Sequence, residues 1–404
     1  MSEQKVTARR KIAVVTTSRA DYGHLYWTLK ELQNRPEIDL KLIVLGAHFS
    51  PEFGQTFKEI EADGFIIDER VECLFSSDSD VGMAKTIGAA TLGLADVLGR
   101  MRPDIVLLIA DRYEMLAPAS VALALRIPIA HIEGGDVSEG AIDDAVRNAL
   151  TKMSHLHFTT NENSRLRVLA MGEEAWRVHL VGSPSLDNLR RRKLFSQAEI
   201  EADLGLDFDQ KTVVAAYHPV TIQRDTIAEA DAVFAALEKL STQIVFCYPN
   251  SDAGSHQLIE RARIFCQTRP NAHLFVNLNH LKYWSLLKYS DLLLGNSSSG
   301  IMETPSIPVP CVNVGMRQKG RDQAKNIIDA APETDAISQA IEKGLSASFR
   351  ESLDGMTNPY GDGHASEKIV EILCEVKLGD ELLIKRAVPL KACLESHSGK
   401  ELTA

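Results

Sequence analysis

The chain has 404 residues, a formal net charge of −11 and 45% hydrophobic residues. That length exceeds what one ordinary hydrophobic core supports, so at least two domains are expected. The acidic balance argues against nucleic acid as the main partner, and no unbroken apolar run approaches the roughly 18 residues of a membrane span. The six scattered cysteines, without a C-x-x-C pair, indicate free thiols in a reducing compartment. These features predict a cytoplasmic protein that binds neither nucleic acid nor a membrane.

Short apolar runs alternate with helical patterns along most of the chain. In the first half the predicted strands are KIAVVTTS, LKLIVLGAH, GFIID, DIVLLIAD, PIAHIE, LHFTT and VHLVG. In the second half they are TVVAAYHP, TQIVFCYP, HLFVNL, DLLLGN and PCVNV. Continuous apolar strands separated by helices are typical of parallel sheets that are covered on both faces. The predicted class is therefore α/β.

A Gly-Ser-Pro break followed by a charged run, GSPSLDNLRRRKLFSQAEI, lies between the two sets of strands. Such a break is typical of a domain junction. We therefore predict a first Rossmann-like domain over residues 1–184 and a second over residues 185–362. The remaining segment, 363–404, contains a helix that could pack back on the first domain, and a peripheral tail.

Polar side chains follow many of the predicted strands, at the point where each strand ends. They are Arg19, Asp21, Asp111, Arg112, Glu133, His218, Asn250, Asp252, Asn296 and Ser297 to Ser299. Any one of them could be a turn or a helix cap, for which Asp, Asn and Ser are favoured. Ligands of open parallel sheets bind beyond the carboxyl ends of the strands, however. Polar residues at so many strand ends, in both halves, predict an active site in a cleft between the two domains.

The segment GNSSSGIMETPS indicates an anion site. A strand ends, and a loop of small hydroxyl residues opens a short helix near Gly300 to Glu303. Free backbone amides at a helix start, together with serine hydroxyls, can bind phosphate. Neither a P-loop nor a G-x-G-x-x-G motif is present, so Walker-type ATP binding and dinucleotide binding lack support. Arg317 follows this loop closely enough to be a second candidate for anion contact.

The stretch HIEGGDVSEGAIDDAVRNAL is rich in carboxylates. A helix is predicted here, with one apolar face formed by Ile142, Ala145, Val146, Ala149, Leu150 and Met153. On that helix Asp143 flanks the apolar face within reach of Arg147, while Asp144 points toward water. Asp111, Glu133 and Asp143 are therefore candidates for a carboxylate group. Neighbouring carboxylates have their pKa values forced apart, which allows one to accept and another to donate a proton.

The chain resembles the hydrolysing UDP-N-acetylglucosamine 2-epimerase family, in its sialic-acid and legionaminic-acid branch. The matching pieces are TTSRADYGHL, LGAHFSPEFG, ADRYE, HIEGGDVSEGAIDDAVRNALTKMSHLHF, VGSP, YPNSDAGS, GNSSSGIMETPS and GMRQKGR. They run in order from Thr16 to Arg321. HIEGG and YHPV also differ from the text that is typical of the non-hydrolysing branch, which favours hydrolysis.

The resemblance implies a glycosyltransferase-B-like fold and no metal or other cofactor. The implied reaction converts UDP-GlcNAc and water to N-acetylmannosamine and UDP. UDP is first eliminated to leave a 2-acetamidoglucal, and water then adds with inversion at C2. The resemblance assigns acid–base positions to Asp111, Glu133 and Asp143, with Arg147 beside Asp143 and His218 near the leaving group or the sugar. The positions for UDP are Arg19, Asp21, Asn250, Asp252, Ser297, Ser298, Glu303 and Arg317.

Several points stay open from sequence alone. His48 and Arg112 are candidates for the sugar pocket, although a packing role for His48 is equally compatible with its position. The substrate could instead be UDP-N,N'-diacetylbacillosamine, on the way to legionaminic acid. A glycosyltransferase of the same fold and a non-catalytic nucleotide-sugar sensor are the alternatives of other classes. A homodimer or homotetramer is expected.

Overall fold

The structure, a computed structural model, describes residues 9–75, 79–137, 142–218, 227–248, 255–276 and 278–388. The described chain forms two compact units. The first contains residues up to 187 and, after a long excursion, those from 363 onward. The second contains residues 188–362.

Each unit is built on one parallel sheet. The strands of the first unit are β1 Arg10–Thr16, β2 Ile38–Leu45, β3 Glu69–Val71, β4 Ile105–Ile109, β5 Ile129–Ile132, β6 Leu156–Thr159 and β7 Val178–Leu180. Those of the second unit are β8 Thr212–Ala216, β9 Gln243–Tyr248, β10 Ala272–Val276, β11 Leu292–Gly295, β12 Cys311–Val314 and β13 Ile327–Ala330. The sheet orders are β3-β2-β1-β4-β5-β6-β7 and β10-β9-β8-β11-β12-β13. Both follow the doubly wound Rossmann order, whose direction reverses beside β1 and β8.

Helices cover the sheets. They are α1 Arg19–Asn34, α2 Phe57–Ala62, α3 Asp80–Met101, α4 Leu116–Ala124, α5 Ile142–Met153, α6 Glu162–Ala170, α7 Ser185–Arg191, α8 Gln197–Leu204, α9 Ile227–Glu238, α10 Ser255–Gln267, α11 His280–Tyr289, α12 Ser298–Met302, α13 Thr334–Gly344, α14 Ala347–Ser352, α15 Ala365–Glu375 and α16 Asp380–Leu383. The alternation of parallel strands and helices confirms the predicted α/β class with two Rossmann-like sheets.

The end of the described chain belongs to the first unit. Helix α15 packs against α1, and Ile369, Val370 and Leu373 are buried in the core of that unit. Asp187 fixes the start of α15, because its carboxylate accepts hydrogen bonds from the backbone amides of Ala365 and Ser366, both at 3.1 Å. Burial raises the pKa of Asp187 to about 6.

Two expectations about the first unit are wrong in detail. GFIID is not a strand: β3 begins one residue after it, and Ile66 within it is 79% exposed. The buried face of α5 is also rotated from the predicted one, because Ile142 and Ala145 are exposed while Arg147 and Thr151 are buried. Arg147 occupies that face because its charge has partners in the interior.

Helix α3 is the one helix of the described chain that is long and apolar enough to cross a membrane, with a mean hydropathy of 1.3 in its best window. Asp, Lys and Thr residues interrupt its apolar residues, so the sequence alone does not predict a membrane span here. Six of its residues, including Leu94 and Leu98, are buried in the first unit. Because core helices meet the same criterion, it is weak support for a membrane span.

Candidate active site

Two acidic candidates of the first unit, Asp111 and Glu133, lie where β4 and β5 end, and Asp143 lies on α5. The backbone turns sharply at each of the two strand ends. Ala110 and Glu133 have left-handed φ values of 60° and 67°. Gly135 is required by space as well as by its left-handed conformation, since a Cβ there would lie 2.3 Å from the carbonyl oxygen of Ser164. At Gly134 a Cβ would lie 3.0 Å from the hydroxyl oxygen of Thr151, so that position is tight as well.

Glu133 is buried, with 5% of its surface exposed. Its carboxylate Oε1 lies 2.9 Å from Nδ1 of His24, on α1. Its backbone carbonyl oxygen accepts a hydrogen bond of 2.8 Å from Nη1 of Arg147. His24 therefore contacts the carboxylate of Glu133, and Arg147 holds its backbone.

Arg147 joins Glu133 to Asp111. While Nη1 binds the Glu133 carbonyl, Nη2 donates to the carboxylate of Asp111, and the Arg147 side chain is 5% exposed. Burial alone would lower the pKa of Arg147, but the charges of Asp111, Asp136 and Glu133 outweigh it and raise that pKa. A permanent positive charge thus lies among the acidic groups.

Two further carboxyl groups face this guanidinium. Burial, followed by the nearby charge of Asp111, raises the pKa of Asp143. Burial also raises the pKa of Asp136, whose Oδ1 accepts hydrogen bonds from the hydroxyls of Thr160 and Ser164. Raised and paired carboxyl groups in one place can hold a proton donor and a proton acceptor at neutral pH.

His131 supports the backbone of the cluster. Its Nε2 lies 2.8 Å from the carbonyl oxygen of Ala110, the residue before Asp111. Burial lowers the pKa of His131 to about 3, so the ring is neutral and donates from Nε2 to that carbonyl. This hydrogen bond therefore holds the turn that carries Asp111 against β5.

The other candidates of the first unit take different positions. Asp21 is buried, and its Oδ2 accepts hydrogen bonds from the amide and hydroxyl of Thr17 at 3.0 and 2.6 Å, while Arg112 pairs with the buried Glu114 at 2.8 Å. Arg19 is exposed and lies 3.5 Å from Glu59. Asp21 thus braces the loop after β1, and Arg19 stands at its surface.

His48 is packed inside the first unit. It is fully buried, and its two ring nitrogens lie 2.9 and 2.8 Å from the hydroxyls of Thr16 and Thr56. Burial, followed by the charge of Arg112, lowers the pKa of His48 to about 4. Both nitrogens are used inside the unit, so the ring supports the end of β1.

In the second unit, Asn296 organises the ends of β8 and β11. Its Oδ1 accepts from the amide of His218 at 2.7 Å, and its Nδ2 donates to the carbonyl of the same residue at 2.8 Å. Its own carbonyl accepts from Nη1 of Arg317 at 2.8 Å and from Nε2 of Gln318 at 2.9 Å. The neighbouring Gly295 allows this approach, because a Cβ there would lie 2.1 Å from the carbonyl oxygen of Ala216. Thus the buried Asn296 holds the backbone of His218 through its side chain and the guanidinium of Arg317 through its carbonyl.

The serine loop follows directly. Ser297 caps α12, and its hydroxyl lies 3.0 Å from that of Ser299, which is also 2.9 Å from the hydroxyl of Tyr283. At the other end of α12, the indole of Trp284 donates a hydrogen bond of 2.7 Å to Oε2 of Glu303. The loop and Glu303 are therefore both positioned by α11.

Two predicted residues, Asn250 and Asp252, lie outside the described residues. In the part of the chain that is described, no group of three His, Cys, Asp or Glu side chains is arranged to hold a metal ion. The described cysteines, Cys73, Cys247, Cys266, Cys311 and Cys374, are free thiols.

Sequence reasoning placed Asn296 at the site as a strand-end residue without its contacts, and it missed other residues that shape the site. Asp136 and Gln318 lie inside the quoted motifs, where no pattern distinguishes them. His24 and Trp284 sit inside helical patterns, where nothing in the spacing marks them. Only the folded positions of α1 and α11 show that His24 meets Glu133 and Trp284 meets Glu303.

Comparison with known proteins shows the family. Residues 30–374 match the family described as UDP-N-acetylglucosamine 2-epimerase. The GDP/UDP-N,N'-diacetylbacillosamine 2-epimerase (hydrolyzing) of Campylobacter jejuni is 36% identical over 95% of this chain and 100% of its own length. The UDP-N,N'-diacetylbacillosamine 2-epimerase (hydrolyzing) of Legionella pneumophila is 37% identical over 93% of this chain and 98% of its own.

A UDP-N-acetylglucosamine 2-epimerase of Neisseria meningitidis is 33% identical over 90% of this chain and 95% of its own. A crystal structure described as UDP-GlcNAc 2-epimerase from Neisseria meningitidis bound to UDP-GlcNAc matches with a TM-score of 0.72 at 20% identity, over 91% of this chain and 100% of that one. The fold is thus the glycosyltransferase-B-like one that the resemblance implied. The chain belongs to the UDP-N-acetylglucosamine 2-epimerase family.

Proposed function

We propose that this chain is a hydrolysing UDP-sugar 2-epimerase, which converts a UDP-2-acetamido sugar and water to the free C2 epimer and UDP. The observation that carries the proposal is the acidic cluster at the ends of β4 and β5. There Asp111 and Glu133 both bind the buried Arg147, and Asp143 faces the same charge. An epimerase needs such a cluster because a proton must leave C2 and another must return to the opposite face.

The reaction has two halves. Removal of the C2 proton and departure of UDP from C1 leave a 2-acetamidoglucal. Addition of water then places a hydroxyl on C1 and a proton on C2 with inverted configuration. A carboxyl group with a raised pKa, as at Asp143, suits proton donation, while an ionised carboxylate suits proton removal. We assign these duties to Asp111, Glu133 and Asp143 as a group.

The second unit supplies the groups for UDP. Ser297 and Ser298 offer hydroxyl and amide donors to the diphosphate, and Arg317 offers a positive charge beside them. Such donors stabilise the charge that develops on a departing phosphate. Glu303, held by Trp284, suits a ribose hydroxyl. We place His218 and Arg19 with the leaving group, and Asn250 and Asp252 in the loop that matches the family.

Two UDP-sugars are candidates for the substrate. UDP-GlcNAc is the substrate that the sequence resemblance favours. UDP-N,N'-diacetylbacillosamine is favoured by the two bacterial relatives of that name, which share 36% and 37% identity against 33% for the Neisseria enzyme. We expect turnover of both, with the higher kcat/KM for UDP-N,N'-diacetylbacillosamine.

Proton NMR in deuterated water tests the reaction. The purified chain is mixed with each UDP-sugar, UDP release is followed, and the sugar product is examined at C2. We expect release of UDP without any added acceptor, inverted configuration at C2 and deuterium at that carbon. UDP release that requires an acceptor sugar would indicate a glycosyltransferase instead, and UDP binding without turnover would indicate a nucleotide-sugar sensor.

Assembly and location complete the proposal. Val81 and Leu92 on α3 expose 57% and 76% of their surface, and Ile142 on α5 exposes 57%. We propose that such apolar groups are covered in a homodimer or homotetramer, which sedimentation would reveal by mass. The free thiols suit the cytoplasm, where we place the enzyme.

A further inference from the structure

His24 contacts the acidic cluster without a role in the mechanism above. It lies in the first turns of α1, and its Nδ1 is 2.9 Å from Oε1 of Glu133. The His24 side chain is 35% exposed, whereas that of Glu133 is 6% exposed. The pair therefore joins a buried carboxyl group to a side chain that water reaches.

Inversion at C2 creates a demand for such a connection, if the proposed function holds. The group that removes the C2 proton stands on one face of the sugar, and the group that returns a proton stands on the other. After each turnover the first group holds the old C2 proton and the second has lost the proton now on C2, while the water that adds at C1 gives up one proton to a base or to solvent. Both groups must return to their starting protonation states before the next substrate reacts.

Three other neighbours of Glu133 among the described residues are poorly suited to that exchange. Arg147 is almost completely buried and keeps its proton at any physiological pH. His131 is fully buried, and burial lowers its pKa to about 3. Asp136 is buried as well, with its Oδ1 engaged by two hydroxyls. An imidazole with a partly exposed ring can instead accept and release a proton near neutral pH.

We propose that His24 is the proton relay that returns Glu133 to its starting protonation state after each turnover. When Glu133 has accepted a proton, its carboxyl group transfers that proton to Nδ1 of His24, and the resulting imidazolium releases a proton to water. When Glu133 has donated its proton, the same transfers run in the opposite direction. No electron pair moves to or from the sugar in this step, so His24 is a positioning residue that acts through Glu133.

The test separates hydrogen bonding from proton transfer. Asparagine places an amide nitrogen where histidine has Nδ1, so His24→Asn keeps a hydrogen bond to Glu133 but cannot relay a proton. His24→Ala removes both and leaves room for added imidazole. His273→Asn, on β10, is the matched control for the loss of a histidine that is also partly buried.

We expect His24→Asn to lower kcat by about 10- to 100-fold, within the range of an acid–base contribution, with little change in KM. Imidazole added to His24→Ala should raise kcat in proportion to its concentration, and it should not accelerate the wild type. His273→Asn should retain wild-type kcat.

Wild-type kcat in His24→Asn would overturn the relay and leave a hydrogen bond as the sole role of His24. A His24→Ala enzyme that imidazole does not accelerate would overturn it too. These results differ from failure of the proposed function, since there the wild type itself would release no UDP from either sugar and the relay would fall with it.

Discussion

Glu133 and Asp111 bind the same arginine through different atoms, and this predicts different effects of two similar substitutions. Arg147 binds the backbone carbonyl of Glu133 but the side-chain carboxylate of Asp111. Glu133→Gln therefore keeps the hydrogen bond from Arg147 to the backbone carbonyl of residue 133. It also keeps the 2.9 Å hydrogen bond from the backbone amide of that residue to the carbonyl of Phe158. Asp111→Asn replaces the charged partner of a buried guanidinium with a neutral amide.

The expected loss of stability follows from these contacts. For Glu133→Gln we expect a decrease in the free energy of unfolding of about 1 kcal/mol or less, since an amide still meets His24. Removing one member of a buried ion pair costs about 3–5 kcal/mol. The Asp111 side chain is 19% exposed, so water compensates part of that loss. We therefore expect about 2–3 kcal/mol for Asp111→Asn.

Both substitutions should also lower the rate of UDP release by at least about 100-fold, because each removes a carboxylate from the acid–base group. Urea unfolding gives the stability, a UDP-release assay gives the rate, and calorimetry checks that UDP still binds. Asp144→Asn is the matched control, since Asp144 lies on α5, the helix that carries Arg147, and its carboxylate accepts a hydrogen bond of 3.2 Å from Nδ2 of Asn148. Equal stability of the two variants, or normal turnover in Glu133→Gln, would refute the assigned geometry.

Three other substitutions test the second unit and the packing of β1. Ser298→Ala should weaken UDP binding by about 10-fold or more, because a hydrogen bond to a charged group contributes about 1.5–3 kcal/mol, and unchanged affinity in calorimetry would count against the serine loop. Trp284→Phe removes the 2.7 Å bond to Glu303, so the preference for UDP over 2'-deoxy-UDP should decrease; an unaltered preference would separate Glu303 from the ribose. His48→Gln should destabilise the protein at pH 7 without changing KM. The pKa of His48 is about 4 in the folded protein and 6.5 in the free side chain. Below pH 6.5 the unfolded wild-type chain therefore takes up a proton that the folded protein does not, and the free energy of unfolding of the wild type decreases. The destabilisation measured in urea should hence shrink by up to about 1.4 kcal/mol per pH unit between pH 6.5 and 4, and a constant difference would contradict a neutral buried imidazole.

The sequence allowed prediction of those features that depend on local pattern. Asp111 and Glu133 could be selected because each follows a continuous apolar run, and parallel strands bring such ends to one edge of a sheet. The anion loop could be recognised because small hydroxyl residues follow DLLLG. The sequence did not predict strand β13, Ile327–Ala330, because it has only four residues and Asp329 interrupts its apolar pattern.

Contacts between distant positions could not be predicted in this way. Arg147 was expected beside Asp143, at helical spacing, yet its bonds reach Glu133 and Asp111, which lie 14 and 36 residues away in sequence. Helical periodicity assigns a charged residue to the outer face, so the predicted face of α5 contained Ile142 and Ala145 instead. The Arg147 guanidinium is buried because partners from two separate strand ends meet it, and their meeting depends on the order of strands in the sheet.

The backbone at those two strand ends shows how the fold directs the carboxylates. Ala110 and Glu133 still bind the neighbouring strand through their amides, at 3.0 Å to Ile132 and 2.9 Å to Phe158. Each then turns into a left-handed conformation, which costs a non-glycine residue on the order of 1–3 kcal/mol. Other left-handed residues of the described chain, such as Arg102 after α3, have a helix end to account for them. At Ala110 and Glu133 the turn instead stops the strand abruptly and brings Asp111 and Glu133 to the same guanidinium. Arg147 and His131 bind the two carbonyl groups at this turn and so offset its strain, which makes them as necessary to the geometry as the carboxylates themselves.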